Sequence, residues 1–184
     1  MQKIVWELEY LSTPKVIRYC KKCGKKTYYK SSGLFRVNAQ KKSLDIWMIY
    51  KCEHCDYTWN AGIYARVNPQ KFSEKDLERF YTNDSQLAQE YAMNVSWLKR
   101  NQIEVILPEY KIKGEELSSS ISTEIYIINP AAIPYKISEV LRKKLSLSQK
   151  EYTDMLQKGT IKSVEGKELK KAKLSKREVV IFQP

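Results

Sequence analysis

The chain has 184 residues and a mass of 21.7 kDa, with 42% hydrophobic and 29% charged residues, the composition of a folded chain rather than a disordered one. Its 33 basic and 21 acidic side chains leave a net charge of +12. No apolar stretch reaches the roughly 20 residues that cross a bilayer, Glu7 interrupts the N-terminus before a signal-peptide core can form, and a cytoplasmic, reducing setting is expected.

Residues 4–10 alternate Ile4, Trp6, Leu8 and Tyr10 with Val5, Glu7 and Glu9, the pattern of a half-buried strand. Glu7 and Glu9 share its solvent face, where exposure is a better account than acid/base work. Cys20-Lys-Lys-Cys23 and Cys52-Glu-His-Cys55 then use every cysteine in the chain, with 28 residues between the pairs. A C-x-x-C loop turns both thiolates toward one centre, and two such loops at hairpin tips close a tetrahedron, the zinc-ribbon arrangement. Gly24 and Asp56 follow the two pairs, where a left-handed backbone is wanted. Zn2+ on Cys20, Cys23, Cys52 and Cys55 is the leading reading. Iron suits the same four thiolates, and a disulfide or redox pair is the third reading, disfavoured in a reducing compartment. Four thiolates fill the shell, so His54, the single histidine, is expected beside the site and not on the metal, whose role is structural.

Strands are predicted over 27–30, 34–38, 46–51 and 57–66, rich in aromatic and β-branched residues. Trp47, Tyr50, Tyr57, Trp59 and Tyr64, interleaved with Arg36, Lys41, Lys42, Lys51 and Arg66, allow a stacking and phosphate-binding surface. The competing assignment, the core of a small ribbon, weighs more because small domains need every aromatic they have. Residues 70–101 read as interrupted helix: Ser73 is an N-cap with Asp76 at N3, Leu77, Phe80 and Tyr81 form an apolar face, and Thr82-Asn83-Asp84-Ser85 breaks it. A strand or tight connection is expected at 103–107 and a strand at 121–128, with the polar 113–120 as a loop or linker.

Ile137, Val140, Leu141 and Leu145 share a helical face. Ser148-Gln-Lys-Glu151 is a capping box, Leu147 and Tyr152 are placed for a hydrophobic staple, and Gly159 stands where a C′ glycine belongs. Residues 160–164 are expected to turn through Glu165-Gly166 into 167–169 as a hairpin, before a last strand at 178–182.

Leu141, Ser148, Leu156, Gly159, Ile161 and Gly166 give this segment a resemblance to the small RNA-binding domain first seen in a small-subunit ribosomal protein, the S-four type. It departs in Gln149, in Lys136-Ile137-Ser138 and in Glu165, where that family favours arginine, an Arg-Leu-Asp start and asparagine. The resemblance implies binding of structured RNA through Lys136, Arg142, Lys143, Lys150, Lys158 and Lys162. Across its length, through Arg18-Tyr-Cys20-Lys-Lys-Cys23, Phe35-Arg36-Val37-Asn38-Ala39, Asp45-Ile46-Trp47 and Thr58-Trp59-Asn60, the chain resembles the bacterial family catalogued as domain of unknown function 1062, which brings no activity with it.

Charge divides the same way: +8 over residues 1–66, −3 over 67–135 and +7 over 136–184. The expectation is an α+β protein of three parts: a zinc ribbon with a small antiparallel sheet (1–66), a helical middle with a connecting strand (67–135) and an RNA-binding-like module of two helices and a sheet (136–184). Its expected function is nucleic-acid binding, RNA more than DNA, through basic surfaces; the alternative is a protein-interaction or assembly module with a purely structural zinc. No membrane association is expected. Neither a phosphate-binding glycine loop nor room for a catalytic triad around His54 is present, so an enzyme is not expected.

Overall fold

The structure is a computed structural model describing residues 1–40 and 42–184; Lys41, one of the cations expected beside the ribbon aromatics, lies outside them. The fold is α+β and mostly strand. In chain order it runs β1 (Gln2–Tyr10), β2 (Lys15–Cys20), β3 (Lys25–Gln40), β4 (Ser43–Cys52) and β5 (Thr58–Val67). A 3-10 turn at Pro69–Lys71 leads into α1 (Glu74–Tyr81), α2 (Ser85–Met93) and α3 (Val95–Arg100). Then come β6 (Glu104–Ile106), β7 (Tyr110–Gly114), β8 (Thr123–Ile128), α4 (Ile137–Leu145), α5 (Gln149–Gln157), β9 (Ile161–Ser163) and β10 (Arg177–Phe182).

Two compact units result, and their boundaries fall at 11/12 and 108/109 instead of 66 and 135. The first unit joins Met1–Leu11 to Glu109–Pro184. Its sheet has the order β7-β1-β8-β10-β9, with β1 parallel to β8 and every other pair antiparallel. The alternation in β1 holds: Ile4, Trp6 and Leu8 are buried while Val5, Glu7 and Glu9 face solvent. The ribbon sheet expected to contain this strand does not, because its partners are Trp6↔Gly114 on β7 and Trp6↔Ile127 on β8.

Two further expectations change in this unit. The predicted loop over 113–120 begins inside β7, whose Lys111 and Lys113 face solvent on an edge strand and so look polar in sequence. Residues 167–169 form no strand; β9 pairs with β10 instead, Ser163 opposite Val180. The capping box and the glycine closure of α5 are both realised. The Ser148 hydroxyl accepts from the Glu151 amide while the Glu151 carboxylate accepts from the Ser148 amide. At the far end, Gly159 (φ 73°) and Thr160 donate to Leu156 and Met155, a Schellman closure.

The second unit, Ser12–Pro108, is an antiparallel sheet of order β5-β4-β3-β2-β6 with α1–α3 packed over it. The strands predicted at 27–30 and 34–38 are one strand, β3, kinked by a bulge between Ser31 and Leu34 where Gly33 takes φ 73°. Asn83 fixes the helices to this bend: its Oδ1 accepts from the Phe35 amide at 2.7 Å. Phe80, Ala88, Ala92, Trp97 and Leu98 bury against Val16, Tyr29, Phe35, Ile46, Met48 and Tyr50. The helices of the predicted middle part therefore complete the core of the unit that carries the four cysteines. Among the described residues no helix is long and apolar enough to cross a membrane.

Candidate metal centre

The sheet register builds the site. Cys20 ends β2 opposite Lys25, and Cys52 ends β4 opposite Tyr29 on the same β3 strand. Both cysteine loops thus emerge at one end of the sheet. Each closes alike, the Gly24 amide on the Cys20 carbonyl at 2.9 Å and the Asp56 amide on the Cys52 carbonyl at 3.0 Å. Both residues adopt the left-handed conformation anticipated for them, φ 67° and 58°.

The four sulfurs lie within 4.8 Å of one another, Cys20 Sγ 3.5 Å from Cys55 Sγ and Cys23 Sγ 3.9 Å from Cys52 Sγ. A tetrahedral ion with metal–sulfur bonds of about 2.3 Å sets its sulfurs about 3.8 Å apart, so the geometry and the donor set both fit one metal ion. Cys20 and Cys52 are buried, Cys23 and Cys55 half-buried. His54 is exposed and stands outside this group of four.

Hydroxyls support the sulfurs from behind. Thr27 Oγ1 lies 3.2 Å from Cys52 Sγ, and the Tyr29 hydroxyl serves Cys20. Burial opposes ionisation of Cys20, yet the Tyr29 hydroxyl, the Cys23 amide and the neighbouring thiols bring it down to about 6. Cys23 is pushed up to about 12, by its hydrogen bond with Cys55 and by burial. Cys52 is lowered against burial by Thr27 and by the amides of His54 and Cys55, whereas burial raises Cys55. Four sulfurs this close ionise together only with a cation among them. Neither Thr27 nor Tyr29 was singled out from sequence; recognising them requires the β3–β4 register.

Three of the five aromatics serve the core of this unit, Tyr50 within it and Trp59 and Tyr64 against it, while Trp47 is half-buried outside that cluster. Tyr50 is wholly buried with Trp59 tilted against it at 5.4 Å, and Tyr64 meets Phe72 edge-on at 4.9 Å. Arg18 lies 4.1 Å over the Trp59 ring and Arg36 5.8 Å over Trp47. Tyr57 alone of the five counts among the exposed large side chains.

The six basic residues expected to contact RNA occupy the helix pair and the strand after it. Lys136 is the N-cap of α4, Lys150 lies in the first turn of α5, Lys158 is its C-cap and Lys162 is on β9; all four are exposed. Lys143 is exposed as well and Arg142 half-buried, and both already donate hydrogen bonds within the unit. Arg142 donates to the Leu147 carbonyl and to Gln149, clamping the turn between the helices, and Lys143 donates to the Tyr110 carbonyl at 2.6 Å beneath that ring's face. A second basic run, Lys170, Lys171, Lys173, Lys176 and Arg177, is exposed in the same unit and was not chosen from sequence.

Sheet, helices and centre together define an α+β protein with a four-cysteine site able to hold one metal ion. The family model described as "Protein of unknown function (DUF1062)" matches residues 37–167, more than two thirds of the chain, and the chain belongs to that family. The matched span contains Cys52 and Cys55 and begins after Cys20 and Cys23. No curated protein and no solved structure matches the chain.

Proposed function

We propose that this protein is a zinc-ribbon RNA-binding protein in which the metal is structural and the RNA is held by basic residues of the first unit. Zinc suits four thiolates at these separations, and the closed shell leaves no coordination position for a substrate or a water, so we assign the centre no catalytic role. The observation that carries the RNA reading is the state of Lys136, Lys150, Lys158 and Lys162. All four are exposed, and none is in an ion pair among the described residues. Lys136 and Lys150 stand at helix starts, where a cation opposes the helix dipole and weakens the helix it begins. Their positive field is therefore available to a polyanion.

Metal analysis of the purified protein, with fluorescence anisotropy on an RNA hairpin, tests both parts. About one equivalent of zinc is expected, lost in Cys20→Ser and Cys52→Ser together with the fold of the second unit, since comparable sites contribute about 10–16 kcal/mol. Charge reversal at Lys150, Lys158 and Lys162 should weaken RNA binding and flatten its salt dependence. Salt-insensitive association with proteins and no affinity for RNA would favour the protein-interaction reading instead.

A further inference from the structure

Residues 15–30, the hairpin of β2 and β3 that carries the first cysteine loop, hold seven basic side chains and no acidic one. Two are already engaged: Lys15 pairs with Glu53 at 3.0 Å and Arg18 lies on Trp59. Lys21, Lys22, Lys25, Lys26 and Lys30 are exposed and in no ion pair among the described residues.

The register sorts the hairpin into two faces. Val16 and Tyr29, opposite one another, are buried in the core. The next pairs on the other face are Ile17↔Tyr28 and Tyr19↔Lys26. Tyr19 is 60% and Tyr28 51% exposed, although a tyrosine ring turned inward would contribute hydrophobic burial. As diagonal neighbours across antiparallel strands they stand about 7–8 Å apart, and neither ring packs on another aromatic among the described residues. Lys26 and Lys30 flank them on the same strand, and Lys21 and Lys22 follow Tyr19 in the cysteine loop.

We propose that this face of the ribbon binds a single-stranded segment of RNA, with bases stacked on Tyr19 and Tyr28 and backbone phosphates on Lys21, Lys26 and Lys30. The proposal rests on the RNA reading above and adds a second contact surface, on the other unit, for unpaired nucleotides. Charge alone would suit any polyanion. Two exposed ring faces set between cations select a ligand that has flat π-systems at short intervals along a phosphate chain. The metal's part is indirect: Cys20 and Cys23 bracket Lys21 and Lys22, so the ion fixes where those lysines stand.

The test uses the full-length, zinc-loaded chain and a labelled oligouridine, read by anisotropy over a salt series. Stacking of one base on an aromatic ring is worth about five- to 150-fold in affinity, so Tyr19→Ala with Tyr28→Ala should weaken binding about 25-fold or more. Tyr19→Phe with Tyr28→Phe keeps the rings and should stay within about twofold of wild type. Lys21→Glu with Lys26→Glu should flatten the salt slope. Zinc content and far-ultraviolet circular dichroism verify that each variant is folded. The proposal is overturned if the folded double alanine variant binds as wild type does, or if polyglutamate competes as well as oligouridine. Loss of hairpin-RNA binding in the Lys150, Lys158 and Lys162 variants, with oligouridine binding indifferent to the tyrosines, would overturn this surface alone. No binding of either RNA would overturn both readings.

Discussion

Gly24 and Asp56 hold equivalent places in the two cysteine loops, each left-handed and each donating its amide to the carbonyl of the loop's first cysteine. Asp56→Gly should leave metal retention unchanged and stability within about 0.5 kcal/mol, since aspartate already tolerates this conformation. Gly24→Val forces a branched residue to φ 67° and should cost about 1–2 kcal/mol, with faster loss of metal to a chelator. Thermal unfolding and chelator competition check both; a valine variant that holds its metal as wild type does would show that the turn is not needed for the site.

Lys167 and Glu178 predict a sharper loss. Glu178 is fully buried on β10, and Lys167 Nζ stands 2.6 Å from its Oε2, also bridging to Glu165 at 2.8 Å. Glu178 Oε1 has no hydrogen-bond partner among the described residues, so Lys167 is its chief compensation. Lys167→Met should destabilise by about 3 kcal/mol by leaving a buried charge uncompensated. Adding Glu178→Gln should recover much of that. Urea unfolding of the two variants measures the difference, and equal stability of Lys167→Met and wild type would refute it.

Asp84 sets a pH dependence. Its carboxyl is held below the usual value of 3.8, first by the Leu87 amide it accepts from and then by the Arg79 guanidinium at 2.9 Å. A carboxyl lowered in the folded state stabilises above its unfolded value and loses that contribution as pH falls through its folded value. Stability of the second unit should therefore decline from about pH 4 downward. Asp84→Asn retains an oxygen to cap α2 but does not ionise, so its unfolding midpoint should be lower at neutral pH and flatter across the acid range. Parallel pH profiles would remove Asp84 as the source.

Gly114 is required where β7 meets β1. It has φ 123°, and a Cβ there would sit 2.0 Å from the Val5 carbonyl oxygen and 2.9 Å from Trp6 Cδ1. Gly114→Ala must displace backbone, so the β1–β7 pairing should open, with faster hydrogen exchange at Glu7 and Glu9 on β1, whose amides face β7. Protection equal to wild type at those amides would show that the edge strand absorbs the substitution.

The metal centre was legible because four cysteines in two short pairs leave a single way to converge, and the helix ends because Ser73, Ser148 with Glu151 and Gly159 each decide a few neighbouring amides. Strand partners were not. The alternation in β1 separates its two faces but says nothing of which sheet receives it, and its neighbours β7 and β8 lie a hundred residues away in the chain. β2 escaped notice because Arg18 and Tyr19 break the apolar alternation just before Cys20. The tyrosines at 19 and 28 could not be told from core residues until their register put them opposite Lys26 and Ile17, away from Val16 and Tyr29.

Among the described residues β1 has strand neighbours only in β7 and β8, and this imposes an order of events on a ribosome. At about 5–20 residues per second, β1 leaves the ribosome roughly 6–20 seconds before β8 is made, while the whole of Ser12–Pro108 emerges in between. The cysteine unit can close and take up its ion while the first strand waits, its apolar Ile4, Trp6 and Leu8 side chains still uncovered. A slow stretch of translation between Pro108 and Ile128 would prolong that exposure, and that interval is when a nascent-chain chaperone would be needed.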